Sequence, residues 1–172
     1  MAKWLAIATA IGSLAACGGG GTSPTAPTPA PPANVAGPYD ATITASSNCS
    51  ANLPSETRVV DLFATITQTG AAVQVQLSAH GGGTATVSGT VSGRTVNLPG
   101  FSFSETMGRG AALVASGNAS VGADGSITGT LSGTYQTASG SSCNAANHQL
   151  RMVKLCEQKI DQGVALLPCV GI

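Results

Sequence analysis

Val73-Gln74-Val75-Gln76-Leu77-Ser78 alternates apolar and polar residues without interruption, and this pattern indicates the fold class. Such alternation places the apolar side chains on one face of an extended strand and the polar side chains on the other. The same period of two recurs at Leu62, Ala64 and Ile66. From residue 37 onward no run shows the spacing of an amphipathic helix, so the sequence predicts an all-β domain.

Candidate strands extend to both sides of this stretch and form a series of about eight. They lie at about 38–45, 58–68, 71–78, 84–91, 94–103, 110–121, 126–137 and 147–155. The connections after the second, fourth and sixth strands are short and contain glycine, which suits tight hairpin turns. The other connections are longer. An up-and-down antiparallel meander would therefore have long loops at one rim and tight turns at the opposite rim.

We expect this meander to close into a barrel in which the first and last strands are neighbours, with a β-sandwich as the alternative. The similar stretches Thr86–Gly93 and Ser126–Gly133 would also suit a β-solenoid, although shared strand composition explains them about as well. Glycines lie inside several predicted strands, where they often mark bends or barrel corners. They are Gly89, Gly117, Gly129 and Gly133.

Gly37-Pro38-Tyr39 opens the first predicted strand, and Arg151 lies in the last one. With about eight strands, the domain from Gly37 to Leu155 resembles the lipocalin-like barrels, which carry Gly-x-Trp in the first strand. In that family a basic residue near the C-terminal end packs on the tryptophan, whose place Tyr39 takes here. An eight-stranded barrel has an interior just wide enough for side chains or one small ligand.

The first sixteen residues have the pattern of a secretory signal peptide. Lys3 precedes an apolar run from Trp4 to Leu14, which is shorter than the roughly 20 residues of a membrane span. The run ends in Leu14-Ala15-Ala16-Cys17, which resembles the bacterial lipobox. The resemblance implies cleavage before Cys17, acylation of its thiol, and a lipoprotein of the cell envelope. We expect it in the outer membrane, facing the periplasm or the cell surface.

Residues 17–36 form a tether between the expected lipid and the folded domain. They are rich in glycine, proline and threonine and nearly free of charge, so they cannot bury a core. The sequence thus divides into a signal peptide at 1–16, the tether at 17–36, a β domain at 37–155 and a C-terminal tail at 156–172.

The chain has five cysteines, and four remain when Cys17 is set aside for the lipid. Four cysteines allow three pairings. In the closed meander, Cys49 and Cys143 both lie at the long-loop rim, beside the strands that closure makes neighbours, which predicts a bond between them. Cys156 and Cys169 would then close the tail into a loop. Zinc is the competing interpretation, but no C-x-x-C or His-x-x-x-His spacing occurs, so we expect no metal.

Charged residues make up 8% of the chain, and seven basic residues balance seven acidic ones. The basic residues are scattered, which excludes the basic stripe of a nucleic-acid-binding protein. No motif of a serine hydrolase, phosphate loop or zinc protease occurs, so we expect neither an enzyme nor a cofactor.

Several polar residues fall in or near the long connections and form a candidate ligand rim. They are Glu56, His80, Glu105, Arg109 and His148. They could line a polar mouth or provide a carboxylate–histidine pair for proton transfer, and the alternative is that they are solvated loop residues. We expect a barrel that binds a small apolar ligand; the alternative is a protein-interaction or hydrolase-inhibitor module acting through the long loops.

Overall fold

The computed structural model describes residues 30–79, 82–104, 112–160 and 163–169. Within them eight antiparallel strands pair in chain order, and β1 also pairs with β8, so the sheet closes into an up-and-down barrel. The strands are β1 (Gly37–Thr44), β2 (Val59–Thr69), β3 (Ala72–Ala79), β4 (Thr84–Ser92), β5 (Thr95–Ser104), β6 (Ala112–Val121), β7 (Ile127–Gln136) and β8 (Ser142–Ile160). The predicted closed barrel is confirmed, and the sandwich and solenoid alternatives are wrong.

The last barrel strand differs from the prediction at both ends. It was expected at about 147–155, but β8 begins at Ser142 and continues to Ile160. Its final part leaves the barrel and pairs with a ninth strand, β9 (Gly163–Pro168), in register from Leu155 opposite Pro168 to Ile160 opposite Gly163. Much of the expected C-terminal tail is therefore a β-hairpin that extends the barrel wall.

The barrel interior is filled by the apolar residues of the alternating pattern. In β3 the buried Val73, Val75 and Leu77 alternate with exposed polar residues, as the sequence predicts. Burying one such side chain completely stabilises the fold by roughly 1.5–3 kcal/mol. The part of the chain that the structure describes contains no helix with the length and hydropathy needed to cross a membrane.

A β-bulge in β8 changes which residues face the interior. The register with β7 shifts between Leu131, which pairs with His148, and Gly133, which pairs with Ala145. Ala146 and Asn147 are both exposed, so two consecutive residues point outward and His148 turns inward. The bulge therefore places a polar ring in the core.

The tight-turn rim also receives the chain that leads into β1. The backbone N–H of Ala33 donates to the carbonyl of Gly93 at 2.7 Å, and the N–H of Val35 donates to Oε1 of Gln68 at 2.8 Å. The Tyr39 hydroxyl donates to the carbonyl of Val35 at 2.9 Å, and burial raises the pKa of Tyr39 to about 12. The chain is thus fixed to this rim before the first strand begins.

The cation beside Tyr39 is Lys154, not Arg151. Lys154 lies opposite Tyr39 in the β1–β8 register, and its Nζ is 5.9 Å from the centre of the tyrosine ring. Arg151 pairs with Thr42 and is exposed. The expectation that Arg151 is the basic residue beside the first-strand aromatic ring was wrong, because Lys154 lies three positions further along β8 and takes that place.

Candidate functional site

The long-loop rim is dominated by the connection from Ala45 to Arg58 between β1 and β2, here called the rim loop. It contains two short 3-10 helices, Ser47–Ala51 and Ser55–Thr57. Cys49 and Leu53 are buried and belong to the core cluster, so the loop closes this end of the barrel. Its outer side is almost entirely polar. The exposed residues are Ser47, Asn48, Ser50, Ala51, Asn52, Pro54, Ser55 and Glu56.

A disulfide joins the rim loop to the start of β8. Cys49 and Cys143 are bonded with a sulfur–sulfur distance of 2.04 Å and a Cα–Cα distance of 5.6 Å. The predicted pairing is confirmed, and so is the second pair, Cys156 with Cys169. Because Cys143 lies in β8 and β8 pairs with β1, the first bond staples the loop across the seam where the barrel closes.

His148 holds the rim loop in place from the core of the barrel. The backbone N–H of Ser46 donates to Nδ1 at 3.1 Å, and Nε2 lies 3.0 Å from the carbonyl oxygen of Gly133. A neutral ring with its proton on Nε2 satisfies both contacts, since Nδ1 must accept. The side chain is 0% exposed. The interpretation of His148 as a solvated rim residue is therefore wrong, because the bulge in β8 turns it into the core.

Three further hydrogen bonds fix the loop along its length. Oγ of Ser46 donates to Oδ1 of Asn147 at 2.6 Å and accepts from the backbone N–H of Asn48 at 3.2 Å, which caps the first 3-10 helix. The Tyr135 hydroxyl donates to the carbonyl of Thr57 at 2.8 Å. The start of the loop is thus bonded to β8 and its end to β7. No buried side-chain polar atom lacks a partner among the residues that the structure covers.

Of the remaining candidate rim residues, only Glu56 lies among the residues that the structure describes. Glu56 is exposed on the second 3-10 helix, where Oγ of Ser55 donates to its carboxylate at 3.1 Å. Both ring nitrogens of His148 bond to backbone groups, so Glu56 and His148 do not form the considered carboxylate–histidine pair. His80, Glu105, Arg109 and Cys17 lie outside the described residues.

Sequence reasoning missed the residues that shape the loop, namely Ser46, Asn147 and Tyr135. A serine ahead of a 3-10 helix is an ordinary capping signal and could have been found. The partners of Asn147 and Tyr135 depend on how far β7 and β8 are shifted against the loop. No local pattern in the sequence carries that information.

The interior offers little space for a ligand. The cavity between the strands has a volume of about 20 Å³ and is lined only by apolar side chains, among them Leu77, Val87, Leu98 and Phe101. A single water needs roughly 10–15 Å³, whereas small-molecule sites measure about 300–1,000 Å³. In this conformation the barrel is filled by its own side chains.

The histidine contacts predict a specific stability loss. Replacing His148 with leucine keeps the core apolar but leaves the Ser46 N–H and the Gly133 carbonyl without their partner. Each unsatisfied buried group costs about 1–3 kcal/mol, so we expect unfolding in urea to show a loss of about 2–6 kcal/mol for the two groups. Gln76→Leu on the exposed face of β3 is the control and should change the midpoint little. Equal midpoints for both variants would contradict the proposed role of His148.

Among the described residues, no three His, Cys, Asp or Glu side chains are grouped closely enough to hold a metal ion. Comparisons of the chain with family models, with curated proteins and with solved structures found no match.

Proposed function

We propose that this protein is an exported lipoprotein, anchored through acylated Cys17, whose barrel is a non-enzymatic module that binds a protein partner through the rim loop. The observation that carries the binding role is the fixed and exposed rim loop. It is closed by a disulfide and bonded to β7 and β8, yet it exposes eight consecutive or nearly consecutive residues.

A fixed loop favours binding because little conformational entropy is lost when a partner docks. Binding residues commonly lie on loops that a rigid scaffold positions, and the rim loop has this arrangement. Glu56 is the only charged residue on its exposed side, so the interface would be polar and mostly uncharged. Inhibition of a hydrolase by insertion of this loop is one specific form of the proposal.

A small apolar ligand inside the barrel is the second candidate. The apolar lining of the cavity favours it, and so does the short β4–β5 ladder, in which only Thr90–Ser92 pair with Thr95–Asn97. The first part of β4, from Thr84 to Gly89, pairs with β3 alone. Separation of β4 from β5 would enlarge the cavity at the lowest cost in backbone hydrogen bonds. The present volume of about 20 Å³ makes this candidate the weaker one.

A non-enzymatic role is supported by the use of the polar side chains at the rim. His148 is buried and uses both ring nitrogens to hold the backbone, so it has no lone pair or proton to offer a substrate. Tyr135 directs its hydroxyl to the carbonyl of Thr57 in the same way. These groups hold the loop in place.

The proposed anchor fits the end of the barrel at which the chain enters. The chain enters through Ala33 and Val35, which are held at the tight-turn rim, opposite the rim loop. A tether running from there to a lipid on Cys17 would leave the rim loop directed away from the membrane. The proposed binding surface would then face soluble or surface-bound partners.

Substitution of Cys17 with serine should abolish the anchor. The thiol is the proposed acceptor of the acyl group, and serine cannot replace it in that modification. In the native host we expect labelled palmitate to enter the parent chain but not the Cys17→Ser variant, and globomycin to cause the parent's precursor to accumulate. Cys49→Ser is the control, since a structural cysteine should leave labelling intact. Equal palmitate incorporation by the parent and the Cys17→Ser variant would refute the assigned anchor.

Two arginines placed on the rim loop should block partner binding without unfolding the domain. Ser50→Arg with Asn52→Arg adds bulk and charge to two exposed positions, while Gln74→Arg with Gln76→Arg does the same on the wall of β3. In cross-linking on intact cells we expect adducts of the parent and the wall variant, and at least a tenfold loss for the rim variant. Adducts that persist in the rim variant, or vanish in the wall variant alone, would rule out the rim loop as the binding surface.

A further inference from the structure

The β8–β9 hairpin projects from the same rim that receives the tether. The pairing of β8 with β1 ends at Lys154, and Leu155–Ile160 pair with β9 instead. The backbone N–H of Cys169 donates to the carbonyl of Lys154 at 2.9 Å, and Cys156 is bonded to Cys169 with a Cα–Cα distance of 5.1 Å. A two-stranded hairpin alone is marginally stable in water, so these links keep it formed where it leaves the barrel.

The outer strand of the hairpin exposes adjacent leucines. Leu166 is 44% exposed and Leu167 is 40% exposed. Successive residues of a strand point to opposite faces, so neither face of β9 is covered by the barrel at this point. The strand sequence Gly163-Val164-Ala165-Leu166-Leu167-Pro168 contains no charged or hydrogen-bonding side chain. An apolar strand in this position suggests a surface that is covered in the native setting.

The route of the chain indicates what covers it. Residues 18–32 link the proposed lipid on Cys17 to Ala33, which is bonded to the tight-turn rim. Fifteen residues span at most about 50 Å, so the hairpin stays within reach of the bilayer that holds the lipid. The chain as a whole carries seven basic and seven acidic residues, so no net charge attracts it to a lipid surface or repels it from one. The contact would therefore be apolar and only weakly dependent on salt.

We infer that the β8–β9 hairpin is a second membrane contact, in which Leu166 and Leu167 enter the interfacial layer of the lipid bilayer. The inference rests on the proposed anchoring, because the tether brings this rim to the membrane. With the lipid and the hairpin both at the bilayer, the barrel is held upright and the rim loop points outward. The Cys156–Cys169 bond serves this contact by keeping β9 paired.

Tryptophan fluorescence can test the contact directly. Trp4 is the only tryptophan of the chain and precedes Cys17, so the mature lipoprotein would contain none. The lipidated Leu167→Trp variant, reconstituted in phosphatidylcholine vesicles with brominated acyl chains, should be quenched at least threefold, with little change in 0.5 M salt. The matched control is Val114→Trp, because Val114 is 60% exposed near the start of β6 at the opposite rim. Equal quenching of the two variants on vesicle-bound protein would overturn the inference.

The leucines can also be tested without the lipid. The Cys17→Ser chain should bind phosphatidylcholine vesicles weakly, and Leu166→Asn with Leu167→Asn should lower its partition about tenfold. Val114→Asn should leave the partition unchanged. Equal partition for all three chains at equal melting temperature would overturn the hairpin contact while leaving the anchor intact. Failure of the lipidated parent to float with vesicles would instead overturn the anchor, and the hairpin inference with it.

Discussion

Replacing Cys49 and Cys143 with alanine is expected to lower the free energy of unfolding by about 4–5 kcal/mol. The bond joins residues 94 positions apart, and the entropy that such a crosslink removes from the unfolded chain grows with loop length. It also fastens the rim loop, whose Cys49 and Leu53 close the end of the core. Since the free energy of unfolding of a whole domain is only about 5–15 kcal/mol, the variant should melt at a much lower temperature than the parent.

The second disulfide provides the matched control. Cys156 and Cys169 are separated by 13 positions and close a hairpin outside the barrel. Their replacement with alanine should loosen β9 and leave the main unfolding transition of the barrel little changed. Calorimetry of the two double variants under non-oxidising conditions separates the effects. Equal melting temperatures for the parent and the Cys49→Ala, Cys143→Ala variant would contradict a stapled seam.

The second large effect is expected at two glycines of β7, Gly129 and Gly133, where a side chain would collide with the backbone of β6. A Cβ atom at Gly129 would lie 2.5 Å from the Cα of Ala119, and one at Gly133 would lie 2.7 Å from the Cα of Ala115. Both would also meet a backbone carbonyl of β6, which cannot move aside as a flexible side chain can. We expect Gly129→Ala and Gly133→Ala each to destabilise the fold by about 3 kcal/mol or more, measured by denaturant unfolding.

Gly100 is the control for steric crowding, because a Cβ atom there would have no neighbour within 4 Å and its φ is not positive. Gly100→Ala should therefore change the free energy of unfolding by less than about 0.5 kcal/mol. Comparable losses at Gly100 and at Gly133 would mean that alanine acts through strand flexibility and not through close approach of the backbones.

Much of the fold could be predicted from local pattern, because alternation reports directly on a two-faced strand. Val73-Gln74-Val75-Gln76-Leu77 has this form, and β3 was expected within one residue of its bounds. The Cys49–Cys143 bond followed from closure alone, since neighbouring seam strands must bring both connections together. Tight turns at Gly70 and Gly93 carry positive φ values of 60° and 54°, as glycine permits.

What could not be predicted depends on register. No characteristic residue type marks the bulge at Ala146 and Asn147 in the sequence, yet this bulge turns His148 toward the core. For the same reason Lys154, and not Arg151, lies beside Tyr39. The β9 strand was missed because Val164-Ala165-Leu166-Leu167 is continuously apolar and shows no period of two. A strand with both faces partly exposed gives no alternating signal.

Of the candidate site, the sequence located the rim but not its chemistry. Glu56 lies on the exposed rim loop as expected, whereas His148 supports that loop from the core. The difference matters for function because a buried histidine with two backbone partners stabilises a binding surface and does not contact what binds there. Sequence spacing alone could not distinguish these roles.

Native mass spectrometry of the protein extracted from its own envelope tests the central claim, binding of a protein through the rim loop, most directly. We expect a stoichiometric complex with a protein and no retained small molecule. The complex should be lost in the Ser50→Arg, Asn52→Arg variant and kept in the Gln74→Arg, Gln76→Arg variant. A stoichiometric small apolar molecule that stays bound in both variants would contradict the account and favour the interior of the barrel as the binding site.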